Sequence, residues 1–358
     1  MKQKQGTQKF VIPLIIILGV AFLCGIVYLI IPHRSMKKVN EYLAQNDTAA
    51  AARMLKAMGE DGDTAAYNKL GYLYEQGTLP ADQGYYVGQS YYLKSALLGN
   101  PYAEKRIADD IFFEYDSDDL KIGELTIDGK TYTMNDAVKF LSKAANQNYG
   151  PALFELGENY RQGTHRIKWN PKKALQCYMK GAKIKNVDCI RKMGDVYNTG
   201  FAVKKDPKKA FQYWLQAANM GDAEAMFNLA EAYSSGNGVE KDNTMHKYWL
   251  EESANHDYLL AEFFMGSLCQ KDGDDSSAKD WFEKVDERND YDYDGKNKTI
   301  IGEAELQLGL GYALGKFGET DYDKAEEYLN KALDNGIGDA EEGLEYVRLM
   351  QNEESGDY

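Results

Sequence analysis

Residues 188–257 read DCIRKMGDVYNTGFAVKKDPKKAFQYWLQAANMGDAEAMFNLAEAYSSGNGVEKDNTMHKYWLEESANHD. The stretch holds nearly the same pattern twice. Gly194, Tyr197, Gly200, Asp206, Ala210, Trp214, Ala218 and Gly221 are followed 36 residues later by Ala230, Tyr233, Gly236, Asp242, His246, Leu250, Ala254 and Asp257. His246 is the mismatch, and Trp249 precedes Leu250 by one place. Such a period is too long for a coiled-coil heptad or a collagen triplet and fits pairs of helices stacked side by side.

Each copy predicts two helices. In Ala223 to Tyr233 the apolar residues Met226, Leu229, Ala230 and Tyr233 recur at three and four places, as one helix face requires, and Ser234 to Gly238 stop the run. Asp206 can cap the next helix, and Pro207 fits its first turn, where a missing amide costs nothing. Phe211, Trp214, Leu215 and Ala218 continue that helix, and Gly221 can take a left-handed cap. Small residues at Gly194, Ala210 and Ala218 let helices approach closely, and the repeat tyrosines Tyr197 and Tyr233 are expected in the core. This pattern resembles the Sel1-like repeat, a relative of the tetratricopeptide repeat, and Gly236-Asn237-Gly238-Val239 with Asp242 behind it matches the family loop best. The resemblance implies an all-α fold, a right-handed α/α superhelical solenoid, and a role as adaptor or scaffold.

The same spacing extends outward. Gly71, Tyr74 and Ala96 mark one unit, Ala145 another, Gly157, Tyr160 and Ala182 a third. Gly238 and Ala254 complete the central pair, then Gly266, and finally Gly309, Tyr312, Ala325 and Ala332. The repeats are thus expected over 49–338, followed by a capping helix at 339–350 with Leu344, Val347 and Leu349 packing, and a loose tail at 351–358. Two insertions interrupt them. At about 116–133 the alternating flanks of Asp128-Gly129 predict a β-hairpin with a type I′ turn, preceded by an acidic run. At about 287–299 a stretch rich in Asp, Asn, Lys and Tyr predicts a surface loop.

Ahead of the repeats, Phe10 to Pro32 form an uncharged apolar run, long enough to cross a hydrocarbon core as one helix. A short tail at 1–9 precedes it and a membrane-proximal linker at 33–48 follows. Lysines and arginines nearly balance across the run. The short tail and large acidic remainder favour a single-pass protein of a bacterial inner membrane, its N-terminus cytoplasmic and its solenoid periplasmic or otherwise extracytoplasmic.

With 358 residues and a formal net charge of -14, the chain is a poor match for nucleic acid. The same charge would steer a protein partner that carries a basic patch. None of the four histidines pairs with another at zinc-helix spacing, and no phosphate loop occurs. Cys177, Cys189 and Cys269 fall at core positions of the repeat. Neither metal, cofactor nor catalysis is therefore expected; a hydrolase would need two carboxylates facing each other across a cleft. Contact residues are sought where the repeat is broken: Tyr85, Tyr86, Tyr132, Arg166, Trp169 and Tyr291. The resulting reading is a membrane-tethered, protein-binding scaffold. The alternatives are an immunity protein that neutralises a secreted toxin or lipase, and an assembly factor for envelope polysaccharide or cell wall.

Overall fold

A computed structural model describes residues 36–81, 84–113, 124–288 and 296–355. The apolar run at 10–32, the acidic residues of 114–119 and Tyr291 lie outside them. Among the described residues no helix is long and apolar enough to cross a membrane. The chain divides into two units, Met1–Ile184 and Lys185–Tyr358.

The first unit contains α1 (36–44), α2 (Thr48–Glu60), α3 (Thr64–Glu75), α4 (Gly84–Leu97) and α5 (Pro101–Phe113). The hairpin β1 (Glu124–Ile127) and β2 (Lys130–Thr133) follows, then α6 (Met134–Asn146), α7 (Gly150–Gln162) and α8 (Pro171–Lys183). The second unit contains α9 (Val187–Thr199), α10 (Pro207–Ala218), α11 (Ala223–Ser235), α12 (Asn243–Asn255) and α13 (Leu259–Asp272). It ends with α14 (Asp275–Asp286), α15 (Lys296–Ala313), α16 (Tyr322–Asp334) and α17 (Ala340–Ser355). Odd and even helices from α3 to α16 pack as pairs, and α17 covers α16 and α15.

Helix ends are set by the residues the repeat supplies. Asp63, Asn170, Asn186, Asp206, Asp222, Asp242, Asp274 and Asp321 each accept a backbone N–H in the first turn of the following helix. Gly163, Gly200, Gly236 and Gly273 end α7, α9, α11 and α13 in the left-handed conformation, which a side chain would strain. Between the two helices of a pair, the N-cap amide returns to the carbonyl of the repeat tyrosine. Asn170 donates to Tyr160 and Asp206 to Tyr197, both at 2.8 Å, and Asp242 donates to Tyr233 at 3.1 Å.

Five helical glycines play another part. Each lies opposite a large side chain of its partner helix: Gly71 faces Tyr92, Gly157 Tyr178, Gly194 Trp214, Gly266 Phe282 and Gly309 Leu329. A Cβ at Gly157 would stand 2.5 Å from the Tyr178 ring and one at Gly266 2.6 Å from the Phe282 ring. All five large side chains are buried. Polar tips are satisfied at the socket's edge, where Tyr178 Oη donates to Glu158 Oε1 at 2.5 Å and Trp214 Nε1 to Asp195 Oδ1 at 3.1 Å. In the α11/α12 pair Ala230 replaces the glycine and Leu250 the ring, a smaller knob in a shallower socket.

Several expectations change. Tyr197 and Tyr233 are half-buried at the rim; Tyr197 stacks on Tyr213 at 5.7 Å and Tyr233 meets the edge of Phe211 at 5.4 Å. The core ring is Trp214 instead, because it projects into the glycine socket while the tyrosines occupy the last turn before the loop. Residues 36–44, expected as part of a linker, are helical, and Val39 is buried with Ala51, Leu55 and Leu70. Leu344 and Val347 are buried, but Leu349 is exposed, and α17 continues to Ser355 through most of the expected tail.

Three buried glutamates were not anticipated. Glu104, Glu262 and Glu305 each stand four residues before a socket residue, Ala108, Gly266 and Gly309, where other repeats carry an apolar side chain. Gln147 Nε2 donates to Glu104 at 2.8 Å, Asn335 Nδ2 to Glu305 at 2.6 Å, and Lys284 Nζ lies 2.9 Å from Glu262. Each partner comes from at or just beyond the end of the paired helix, so the acid fastens the two helices where the apolar contact is missing.

Candidate binding surfaces

Two of the breaks in the repeat of the first unit, at Tyr86 and at the hairpin, meet in space. The hairpin pairs Leu125 with Tyr132 and Ile127 with Lys130, around Asp128 and Gly129 at positive φ. Leu125, Ile127 and Tyr132 turn inward, and the Tyr132 ring lies 6.2 Å from Phe140 of α6. Tyr132 is only 5% exposed and offers no surface to a partner, contrary to its expected role. It shares the inner face of the hairpin with Leu125, directly opposite.

The turn of the hairpin instead faces α4 across a cleft of about 210 Å³, lined by Tyr86, Val87, Ser90, Thr126, Ile127 and Asp128. Tyr86 is 56% and Tyr85 44% exposed, with their rings edge to face at 5.8 Å. On another face of α4, Tyr85 Oη donates to Asp110 Oδ1 at 3.4 Å and Tyr92 Oη to Glu75 Oε2 at 3.3 Å. Arg106 pairs with Glu75 and, at 3.2 Å, with Asp110. Gln89, 1% exposed, is buried beside Asp110 and Tyr85. Burial pushes the Asp110 carboxyl up to about 6, with the Arg106 guanidinium opposing that shift.

Trp169 and Arg166 belong to a different place in the same unit. Thr164 Oγ1 donates to Asn159 Oδ1 at 2.8 Å, the His165 ring stacks on Phe112 at 4.1 Å, and Ile167 is buried. Held at these points, the loop passes through positive φ at both His165 and Arg166, a costly conformation for side-chain-bearing residues. It leaves Arg166 exposed and Trp169 63% exposed. The bound loop therefore presents the indole outward rather than laying it over the helix pair.

Carboxylates do come together, but around cations. Lys105 Nζ lies 2.6 Å from Asp109 and 2.8 Å from Glu155, and burial, then the Asp109 charge, pushes Glu155 up to about 7. Burial likewise pushes Glu305 up to about 7, helped by Asp286. Lys105 bridges the first pair, which makes it an ion pair of the packing rather than two acids facing across an open cleft. Cys177, Cys189 and Cys269 are buried, and burial pushes the Cys177 thiol up to about 11, away from a reactive thiolate. Among the described residues no group of three or more His, Cys, Asp and Glu side chains is placed to hold a metal ion.

These raised acids predict how stability varies with pH. Asp110, Glu155 and Glu305 stay protonated in the folded chain after the unfolded chain has ionised near its ordinary values of 3.8 and 4.5. Their contribution is full below that range and is lost as pH rises through about 6 to 7. Asp136, lowered by its bonds to Lys139 and Thr133, acts in the opposite sense but only at more acid pH. Urea denaturation should show the protein more stable at mildly acid than at neutral pH, by on the order of 2 kcal/mol. Glu155→Gln with Glu305→Gln should flatten that slope; an unchanged slope would refute the assignment.

A family model described as Sel1 repeat matches residues 64–100, 134–149, 150–185, 187–222, 223–258, 257–284 and 302–337. Among solved structures, a protective antigen of uropathogenic Escherichia coli displaying an SLR fold is 22% identical with a TM-score of 0.58. That match covers 84% of this chain, which spans only 60% of the antigen's length. A Sel1 repeat protein from Oxalobacter formigenes is 27% identical with a TM-score of 0.56, over 69% of this chain and 97% of the other. An immunity protein from Pseudomonas aeruginosa is 17% identical with a TM-score of 0.43, over 66% and 83%, too distant to carry an argument. No curated protein matches the chain.

Proposed function

This chain belongs to the Sel1 repeat family, and we propose that it is a non-catalytic protein-binding scaffold tethered to a membrane by the apolar run at residues 10–32. One observation carries the binding reading. The hairpin turn and the exposed Tyr86 of α4, which interrupt an otherwise regular repeat, line one cleft. Stacked helix pairs supply a rigid frame, and departures from the frame give a partner something specific to grip. Tyr86 offers an exposed ring at the cleft, and a tyrosine ring, with only two side-chain torsions, loses little entropy on binding. Asp128, in the lining of the cleft, suits a partner with a basic patch.

Photo-crosslinking in intact cells tests this reading. A photoreactive side chain at Tyr86 or Asp128 should yield the same discrete adduct, whereas one at the exposed Tyr346 of α17 should not. Those adducts should stay in the membrane fraction after an alkaline wash and move to the soluble fraction when residues 10–32 are deleted. Equal adducts from all three positions would remove the cleft from consideration, and release by the wash alone would remove the tether.

A further inference from the structure

The acidity of the chain is not uniform. Residues 161–209 hold 14 lysines and arginines against 3 aspartates, whereas the whole chain holds 42 Lys and Arg against 56 Asp and Glu. Within that stretch a lysine triad occurs twice at the repeat spacing: Lys168, Lys172 and Lys173, then Lys204, Lys208 and Lys209. Two members of each triad lie in the first turn of α8 or α10, neither of which has an acid there. A cation at that end opposes the helix dipole, so these lysines do not serve helix stability.

In the second unit the triad edges a concave cleft of about 550 Å³, whose lining sets the four lysines Lys204, Lys205, Lys208 and Lys209 against one acid, Asp206, beside Tyr197, Val203 and Pro207. All four lysines are exposed. Lys209 reaches Asp206 at 3.5 Å and lies over the Tyr197 ring at 5.2 Å. Among the described residues no ion pair is recorded for Lys204, Lys205 or Lys208. In the first unit, the matching lysines are also exposed and stand beside the outward indole of Trp169.

We propose that the cleft at residues 203–209 docks an acidic segment of a polypeptide partner, with the lysines taking its carboxylates and Val203 its aliphatic groups. Screening confines charge effects to about 8 Å at physiological salt, so this local excess outweighs acids elsewhere in the chain. Concavity favours a polypeptide over a bilayer, which presents a plane. Tyr197 is already stacked on Tyr213 and covered by Lys209, which leaves it poorly placed to stack a nucleic-acid base. The inference does not depend on the α4 cleft.

Binding of a fluorescent glutamate-rich peptide containing a few leucines, followed by anisotropy with the full chain at low and moderate salt, tests the proposal. Lys204→Glu with Lys208→Glu should weaken binding about tenfold or more. The exposed lysines Lys94 and Lys316, reversed together as a control, should change it less than about twofold. Lys204→Gln with Lys208→Gln should give an intermediate loss, which keeps the comparison valid if charge reversal disturbs folding. Equal losses in both reversal pairs, absence of peptide binding, or preferential binding to phosphatidylglycerol vesicles or a poly-thymidine strand would overturn it.

Discussion

Gly194→Ala should destabilise the protein by about 2 kcal/mol, and in combination with Trp214→Leu the two losses should be clearly less than additive. The direction is the informative part. Alanine is the better helix former by roughly 1 kcal/mol, so at a helical position with room the substitution would stabilise. Here a Cβ would overlap the buried Trp214 indole, whose Nε1 is tied to Asp195 and resists displacement. Trp214→Leu alone should cost about 3 kcal/mol through the cavity it opens. Combined, the two substitutions reproduce the Ala230 and Leu250 pair that the next repeat already uses. Urea denaturation of the two single variants and the double variant closes the cycle. A stabilised Gly194→Ala, or strictly additive losses, would mean that the glycine is not a socket for the ring.

That pair also shows where sequence reading reaches its limit. The glycine and acid spacing was legible because a left-handed turn after α9 and α11 and an N-cap before α10 and α12 each restrict the residue chemically. Depth was not. Tyr197 has Tyr233 one period on and Trp214 has Tyr178 one period back, and a period reports recurrence without saying which ring enters the core. Asp128-Gly129 announced the hairpin, and the opposite pairing of Leu125 with Tyr132 carried the missed signal that Tyr132 faces inward. The approach of Asp128 to Tyr86 could not be read, since it depends on how the hairpin folds back onto α4. The basic stretch was legible in principle and was lost by summing charge over the whole chain.

Arg191→Met is expected to cost about 3 kcal/mol or more at neutral pH, and less in mild acid. The Arg191 side chain is buried, with Nη1 2.8 Å from Glu224 and Nε 3.2 Å from Asp222. Asp222 also caps α11 by accepting the amide of Ala225 at 2.7 Å, so the guanidinium joins α9 to the start of the next repeat. Burial already raises the Glu224 carboxyl, and Arg191 opposes that rise. Without the cation, Glu224 should rise further above its ordinary 4.5, so its protonation in mild acid relieves the repulsion from Asp222. Arg191→Lys should recover little, because one ammonium cannot span two carboxylates as a guanidinium does. Removing the second charge as well, in Arg191→Met with Glu224→Met, should recover most of the loss, since α11 alone can support Asp222 through its first-turn amides. Chemical denaturation at neutral and mildly acid pH distinguishes the outcomes. A loss that is independent of pH, and unrelieved in the double variant, would assign Arg191 to packing rather than to charge.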